Sequence, residues 1–200
     1  MVPALEQLVD ALSSLPTIGK KSAWRLAVHL LEQPADHVEH LAESLRKVKH
    51  QVHHCRRCFN YSQDELCEIC VSGTRNESLI CVVEKAIDVH TIESSGRYKG
   101  FYHVLGGILS PIHGITAEKI RIRELVERVR QDGCEELILA LGGNTDAETT
   151  SLYLAKILAD TNVKITRLAR GLPAGMELEY VDQITLLQAL DERIDFAHNR

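Results

Sequence analysis

The chain predicts an α/β protein built from several modules: a helical N-terminal part, a small four-cysteine knuckle, a mostly parallel sheet flanked by helices, and a short strand–helix segment at the end. Three observations lead there. Amphipathic runs with helical period fill the region before the cysteines. The four cysteines Cys55, Cys58, Cys67 and Cys70 follow with C-x2-C-x8-C-x2-C spacing. Beyond Arg75, continuous apolar runs alternate with helix-periodic ones, the pattern of β-α-β units.

Residues 4–15 place Leu5, Leu8, Val9, Leu12 and Leu15 on one helical face, and Pro16-Thr17-Ile18-Gly19 closes that helix with a turn. A second helix is expected over 20–32 with Ala23, Leu26, Ala27, Leu30 and Leu31 inward, ended by Pro34. A third covers 35–50, with Val38, Leu41, Leu45 and Val48 on one face. No long helix or strand fits within the cysteine segment. Leu79-Ile80-Cys81-Val82-Val83 reads as a buried parallel strand. Then come a helix over 85–94, a strand over 101–105, a strongly periodic helix over 116–131, a strand over 136–141, a helix over 147–160 and a strand over 163–168. Residues 179–193 read as a short strand and then a helix. These elements divide the chain into modules at 1–53, 54–77, 78–173 and 174–200.

Composition narrows the function classes. The 200 residues are 44% hydrophobic and 26% charged, ordinary for a globular protein, and aromatics are only 4%, so aliphatic side chains carry the core. No run approaches a membrane span, and MVPALEQLVDAL has no basic stretch before an apolar run, so a cytoplasmic protein is expected. In that compartment paired cysteines serve metals more often than disulfides. The net charge of −5 opposes nucleic-acid binding, but its distribution does not. Residues 1–58 hold eight lysines and arginines against six acids, together with six of the ten histidines. From Gly171 onward, six acids (Glu177, Glu179, Asp182, Asp191, Glu192, Asp195) face Arg193 and Arg200. Only the N-terminal end suits a polyanion.

In Leu15-Pro16-Thr17-Ile18-Gly19-Lys20-Lys21-Ser22-Ala23 a tight turn leads into a helix whose first residues are cationic. Free N–H groups at a helix start bind phosphate, and lysines there add charge without reading sequence. Arg25 lies one turn after Lys21, on the same face. An ordinary hairpin with a solvated basic edge has the same spacing. LPTIGKKSAWRLAVHLL taken whole resembles the helix–hairpin–helix DNA-binding motif. Thr17 stands where that motif has its first glycine, and a β-branched residue resists φ > 0. Trp24 either stacks on a nucleobase or packs.

Two C-x-x-C pairs aim four sulfurs at one point, the tetrahedral thiolate cage preferred by a structural Zn²⁺; a rubredoxin-type iron site is the lesser alternative. All four positions are filled by protein, so the metal has no open site for chemistry. Arg56 and Arg57 either touch phosphate or offset the charge of the thiolates, His53 and His54 read as surface residues, and Cys81 and Cys134 read as small core residues.

Glu84 directly follows one buried strand, and Asp146 and Glu148 follow another beyond Gly142-Gly143-Asn144-Thr145. Carboxylates gathered at the carboxyl ends of parallel strands hold Mg²⁺ for phosphoryl transfer. Equally, acids at 146 and 148 open a helix and stabilise its dipole.

Val82-Val83-Glu84 followed by Asp146-x-Glu148 resembles a Toprim domain. The order helix–hairpin–helix, four-cysteine zinc knuckle, Toprim, with CVVEKAIDV, YHVLGGILSPIHGI and ITRLARGLPAGMELEYVDQITLLQAL, resembles the RecR family of bacterial recombination mediators over nearly the whole chain. The resemblance implies a non-catalytic, nucleoid-associated DNA-repair protein that forms ring-like tetramers around single- or double-stranded DNA. Such proteins act with RecO and RecF to load RecA on single-stranded DNA. It also implies DNA contacts from Lys20, Lys21 and Arg25, and a RecO contact from the acids, chiefly Glu84. The stretch 178–190 is similar to the family's Walker-B-like segment, with no P-loop beside it, which argues against ATP hydrolysis. The chain departs from the family pattern at Gly142-Gly143-Asn144-Thr145-Asp146-Ala147-Glu148, where Asn-Pro-Thr-x-Glu-Gly-Glu is expected. Two other classes compete: a Mg²⁺-dependent Toprim nuclease or strand-passage enzyme using Glu84, Asp146 and Glu148, and a purely structural zinc protein. No tyrosine has the setting of a strand-passage nucleophile.

Overall fold

A computed structural model describes residues 2–193; Asp195 and Arg200, counted above in the acidic tail, lie outside the described residues. The chain divides into two compact units, Met1–Val52 and His53–Arg200.

The first unit is helical: α1 (Pro3–Ser13), α2 (Lys20–Glu32) and α3 (Ala35–Gln51). Pro3 sits in the first turn of α1, where its missing N–H costs no hydrogen bond. Leu5, Leu8, Val9 and Leu12 of α1 are half-buried. The α1–α2 pair packs through Ala23 and Ala27, which are fully buried and four residues apart, so small side chains bring the helices close. Leu26 and Leu31, expected inward, are exposed, Leu31 at 70%. At 100° per residue Ala23, Ala27 and Leu30 form the central ridge, and Leu26 and Leu31 fall on its two flanks. The apolar face of α3 is open as well: Leu41, Leu45 and Val48 are exposed.

The second unit begins with the knuckle: a two-stranded antiparallel ribbon of β1 (His53–His54) and β2 (Tyr61–Ser62), then a single helical turn, α4 (Glu68–Val71). Next come β3 (Asn76–Val83), α5 (Ala86–Glu93), β4 (Gly100–Val104), α6 (Ile122–Gln131), β5 (Glu136–Ala140), α7 (Thr145–Ile157), β6 (Lys164–Arg167) and α8 (Gln183–Asp191). The four larger strands form a wholly parallel sheet of order β4-β3-β5-β6, with Val82 level with His103 on one side and Leu139 on the other. Successive strand residues face opposite ways. Ile80 and Val82 therefore join Leu125, Val129, Leu137, Leu154 and Leu158 beneath α6 and α7. Cys81 and Val83 join Ala86, Val89, Tyr102 and Val104 on the other face, with Phe59 and Ile69 of the knuckle packed against them. Apolar cover on both faces is why these strands read as unbroken hydrophobic runs.

Two expected elements also fail. The helix over 116–131 is broken: a 3₁₀ turn at Ala117–Lys119 precedes an extended Ile120 (φ −125°, ψ 163°), and α6 starts only at Ile122. The Arg121 N–H donates to the Leu105 carbonyl at 2.9 Å, and the Arg121 carbonyl lies 2.8 Å from His103 Nε2, so the end of β4 has claimed both backbone groups. No strand forms around residue 179 either. Leu178–Tyr180 is a 3₁₀ turn, and Asp182 then caps α8, accepting from the Thr185 N–H at 2.9 Å.

Candidate nucleic-acid interface and metal centre

The turn before α2 holds Thr17 at φ 69°, the left-handed region a glycine would occupy freely. The Ile18 N–H donates to the Leu15 carbonyl at 3.2 Å, which closes the turn. Gly19 caps α2 in an extended conformation, and open space surrounds the place a Cβ would take. No acid lies in the first turn of α2. Lys20, Lys21 and Arg25 are exposed, and none makes an ion pair among the described residues. On α3, by contrast, Arg46 pairs with Glu39 and Lys47 with Glu43. The hairpin therefore ends in cations without local acids to neutralise them.

In the knuckle the four cysteine sulfurs lie within 4.8 Å of one another and all four residues are buried, the one such cluster of three or more ligand-type side chains among the described residues. Cys58 and Cys67 sulfurs are 3.5 Å apart; Zn–S bonds near 2.3 Å in a tetrahedron would separate sulfurs by about 3.8 Å. Two local turns set this up, with the Phe59 N–H on the Cys55 carbonyl (3.0 Å) and the Cys70 N–H on the Cys67 carbonyl (2.9 Å). Phe59 takes φ 63° to complete the first. The thiols share hydrogen bonds, which hold the Cys67 sulfur well below the usual thiol range while Cys58 and Cys70 are pushed up. Cys55, Cys58, Cys67 and Cys70 fit a closed structural Zn²⁺ site, in which the ion cross-links the knuckle and supplies no reaction.

The knuckle is seated on β4. The Val104 N–H donates to the Cys58 carbonyl at 2.8 Å, and Phe59 meets the buried His103 ring edge-on at 5.4 Å. Arg57 lies over the Phe101 ring at 5.0 Å and donates to Asp132 at 3.0 Å, and Asp132 also accepts from the buried Arg128. Arg57 is thus engaged on the protein side, by Phe101 and Asp132. Arg56 is exposed and paired with Glu65 at 2.6 Å. His53 and His54 are exposed. Cys81 is buried, which pushes its thiol up to about 12, and Cys134 is half-buried with its thiol also raised by burial.

The three carboxylates lie at the carboxyl ends of β3 and β5, as the sequence places them, but they do not gather into a metal-binding group. Glu84 is half-buried and paired with Lys85 at 3.2 Å. Asp146 and Glu148 sit in the first turn of α7, capped by Asn144, which accepts from the Ala147 N–H at 2.8 Å. Glu148 is taken by two arginines, Arg170 at 2.6 Å and Arg167 at 3.6 Å. Sequence reasoning missed these partners; Arg167 ends β6 and Arg170 follows it, and both come beside α7 only through the strand order. It also missed His103, a fully buried histidine in a strand whose apolar neighbours hide it.

Comparison with known proteins follows the same order of parts. Residues 5–49 match the family described as RecR, helix-hairpin-helix, and residues 52–72 match the RecR zinc finger domain of four cysteines. Residues 78–169 match the Toprim domain and residues 171–194 RecR, C-terminal. A Recombination protein RecR from Rubrobacter xylanophilus is 48% identical over 95% of this chain and 96% of its own. The chain belongs to the RecR family. Other RecR relatives are similarly close: one from Dehalococcoides mccartyi is 45% identical over 96% of this chain and 95% of its own, and one from Treponema denticola is 46% identical over 96% and 99%. As a RecR-family protein the chain has a recombination and repair role, a DNA-binding helix–hairpin–helix module and a structural Zn²⁺ held by four cysteines. Among the described residues no helix is long and apolar enough to cross a membrane.

Proposed function

We propose that the protein is a non-catalytic recombination mediator that grips DNA through Lys20, Lys21 and Arg25. In this reading it forms a ring-like tetramer around single- or double-stranded DNA and acts with RecO and RecF to load RecA on single strands, in the cytoplasm at the nucleoid. Glu84, Asp146 and Glu148 then serve a RecO contact and hold no catalytic Mg²⁺. The observation that carries the reading is the set of uncompensated cations, Lys20, Lys21 and Arg25, at the start of α2, beside a Gly19 with open space around it. Two further features support it. Arg167 and Arg170 already neutralise Glu148, which removes one of three carboxylates from metal binding. The open apolar faces of α3 (Leu41, Leu45, Val48) and α8 (Ile184, Leu187, Leu190) offer surface for self-association.

Reversing charge with Lys21→Glu and Arg25→Glu should abolish DNA binding measured by fluorescence anisotropy, flatten its salt dependence, and leave the mass measured by light scattering at that of a tetramer. A strict monomer that binds neither DNA nor RecO sinks the reading. Nicking of supercoiled DNA by the purified protein, lost in Glu84→Gln, would favour a Toprim nuclease.

A further inference from the structure

Beside the cations of α2 lies a shallow surface cavity of about 300 Å³, lined by Trp24, Arg25, Val28, His29 and Glu32. It is the groove between two i,i+4 ridges of one helix: Lys20, Trp24, Val28 and Glu32 on one side, Lys21, Arg25 and His29 on the other. Trp24 is 37% exposed, so its ring is a wall of the groove and only partly packing; Val28 is half-buried and forms the floor.

We propose that this groove receives an unpaired nucleobase of single-stranded DNA, stacked on Trp24. The inference rests on the DNA-binding reading above and adds a strand preference to it. The charges along the groove are ordered. Lys20, Lys21 and Arg25 stand at its N-terminal end, and Glu32 at the other makes no ion pair among the described residues. A phosphate is attracted to the first end and repelled from the second, so the backbone lies along Lys21 and Arg25 while the base turns toward Trp24 and Val28. Only a base outside a duplex can offer its face, because paired bases are covered above and below. The volume, at the lower limit for small-ligand sites, suits one ring system and not a helix.

Trp24 is the one tryptophan in the chain, so tryptophan fluorescence, excited selectively over that of the five tyrosines, reports on this groove alone. Titration of the full chain with a single-stranded oligonucleotide should quench that fluorescence in step with the anisotropy of the labelled DNA. A blunt duplex and an abasic strand of equal phosphate number should bind without quenching. Trp24→Ala, which helix propensity tolerates at an exposed position, should weaken base-bearing strands about tenfold and erase their advantage over abasic strands; Trp24→Phe should restore much of it. Single-strand binding without quenching overturns the proposal and spares the DNA reading. Absence of any DNA binding overturns both. A fluorescence change that follows protein concentration without DNA assigns the groove to a second copy of the chain and also overturns the proposal.

Discussion

Arg57 of the knuckle donates to Asp132 at the end of α6 across 3.0 Å, although 75 positions separate them. The same Asp132 oxygen accepts from Arg128 Nε at 3.1 Å, and Arg128 Nη1 donates to the Tyr102 carbonyl at 2.7 Å. One carboxylate thus ties the four-cysteine module, α6 and β4 together.

Asp132→Ala leaves two guanidinium groups, one of them buried, without their anion. Loss of a partly buried charge-assisted network of this kind costs about 2 kcal/mol. The variant should melt several degrees lower while keeping its zinc, measured by thermal denaturation alongside elemental analysis.

One Zn²⁺ per chain is expected by elemental analysis. Chelation, or Cys58→Ala, should lower the melting temperature and the oligomer population, because the metal closes a segment with very short strands and a single helical turn. A cysteine variant that stays folded and oligomeric yet loses DNA binding would mean that the knuckle itself touches DNA.

Thr17 occupies a left-handed conformation that its branched Cβ resists. Thr17→Gly should stabilise the chain by about 1 kcal/mol, the relieved backbone strain exceeding the greater chain entropy of glycine. A melting temperature that falls in this variant would show that the turn is not strained at Thr17.

His103 is buried, which pushes its imidazole down to about 3, and its Nδ1 has no partner among the described residues. The neutral ring is the folded form, so the unfolded chain binds one proton more between the two pKa values. Stability from this group is complete above about pH 6.5 and is lost as pH falls toward 3, by about 1.4 kcal/mol per pH unit. His103→Gln keeps a donor for the Arg121 carbonyl and removes the titration. Its stability should fall less steeply with acid than that of the parent, measured by denaturant unfolding over that range. Identical slopes would rule the histidine out as the source.

The helices, strands and cysteine knuckle were legible because each depends on residues two to four positions apart. Apolar period 2 or 3.6 and a C-x-x-C turn are all local. What failed was local as well in appearance: residues 116–131 have helical period throughout, yet the carbonyl of Leu105 and the ring of His103 outcompete the helix for Arg121. Leu26 and Leu31 have the right period and the wrong face, since helical spacing does not say which ridge meets a neighbour.

By itself the sequence determined the α/β architecture, the tetrahedral set of Cys55, Cys58, Cys67 and Cys70, and the cationic start of α2, all of which follow from spacing along the chain. Only the tertiary structure decided that Arg57 docks on Asp132, that Glu148 faces Arg167 and Arg170, and that Trp24 stands half-open beside Arg25. Which charges meet depends on strand order and helix packing, and those bring together residues whose separation in sequence carries no signal of their contact.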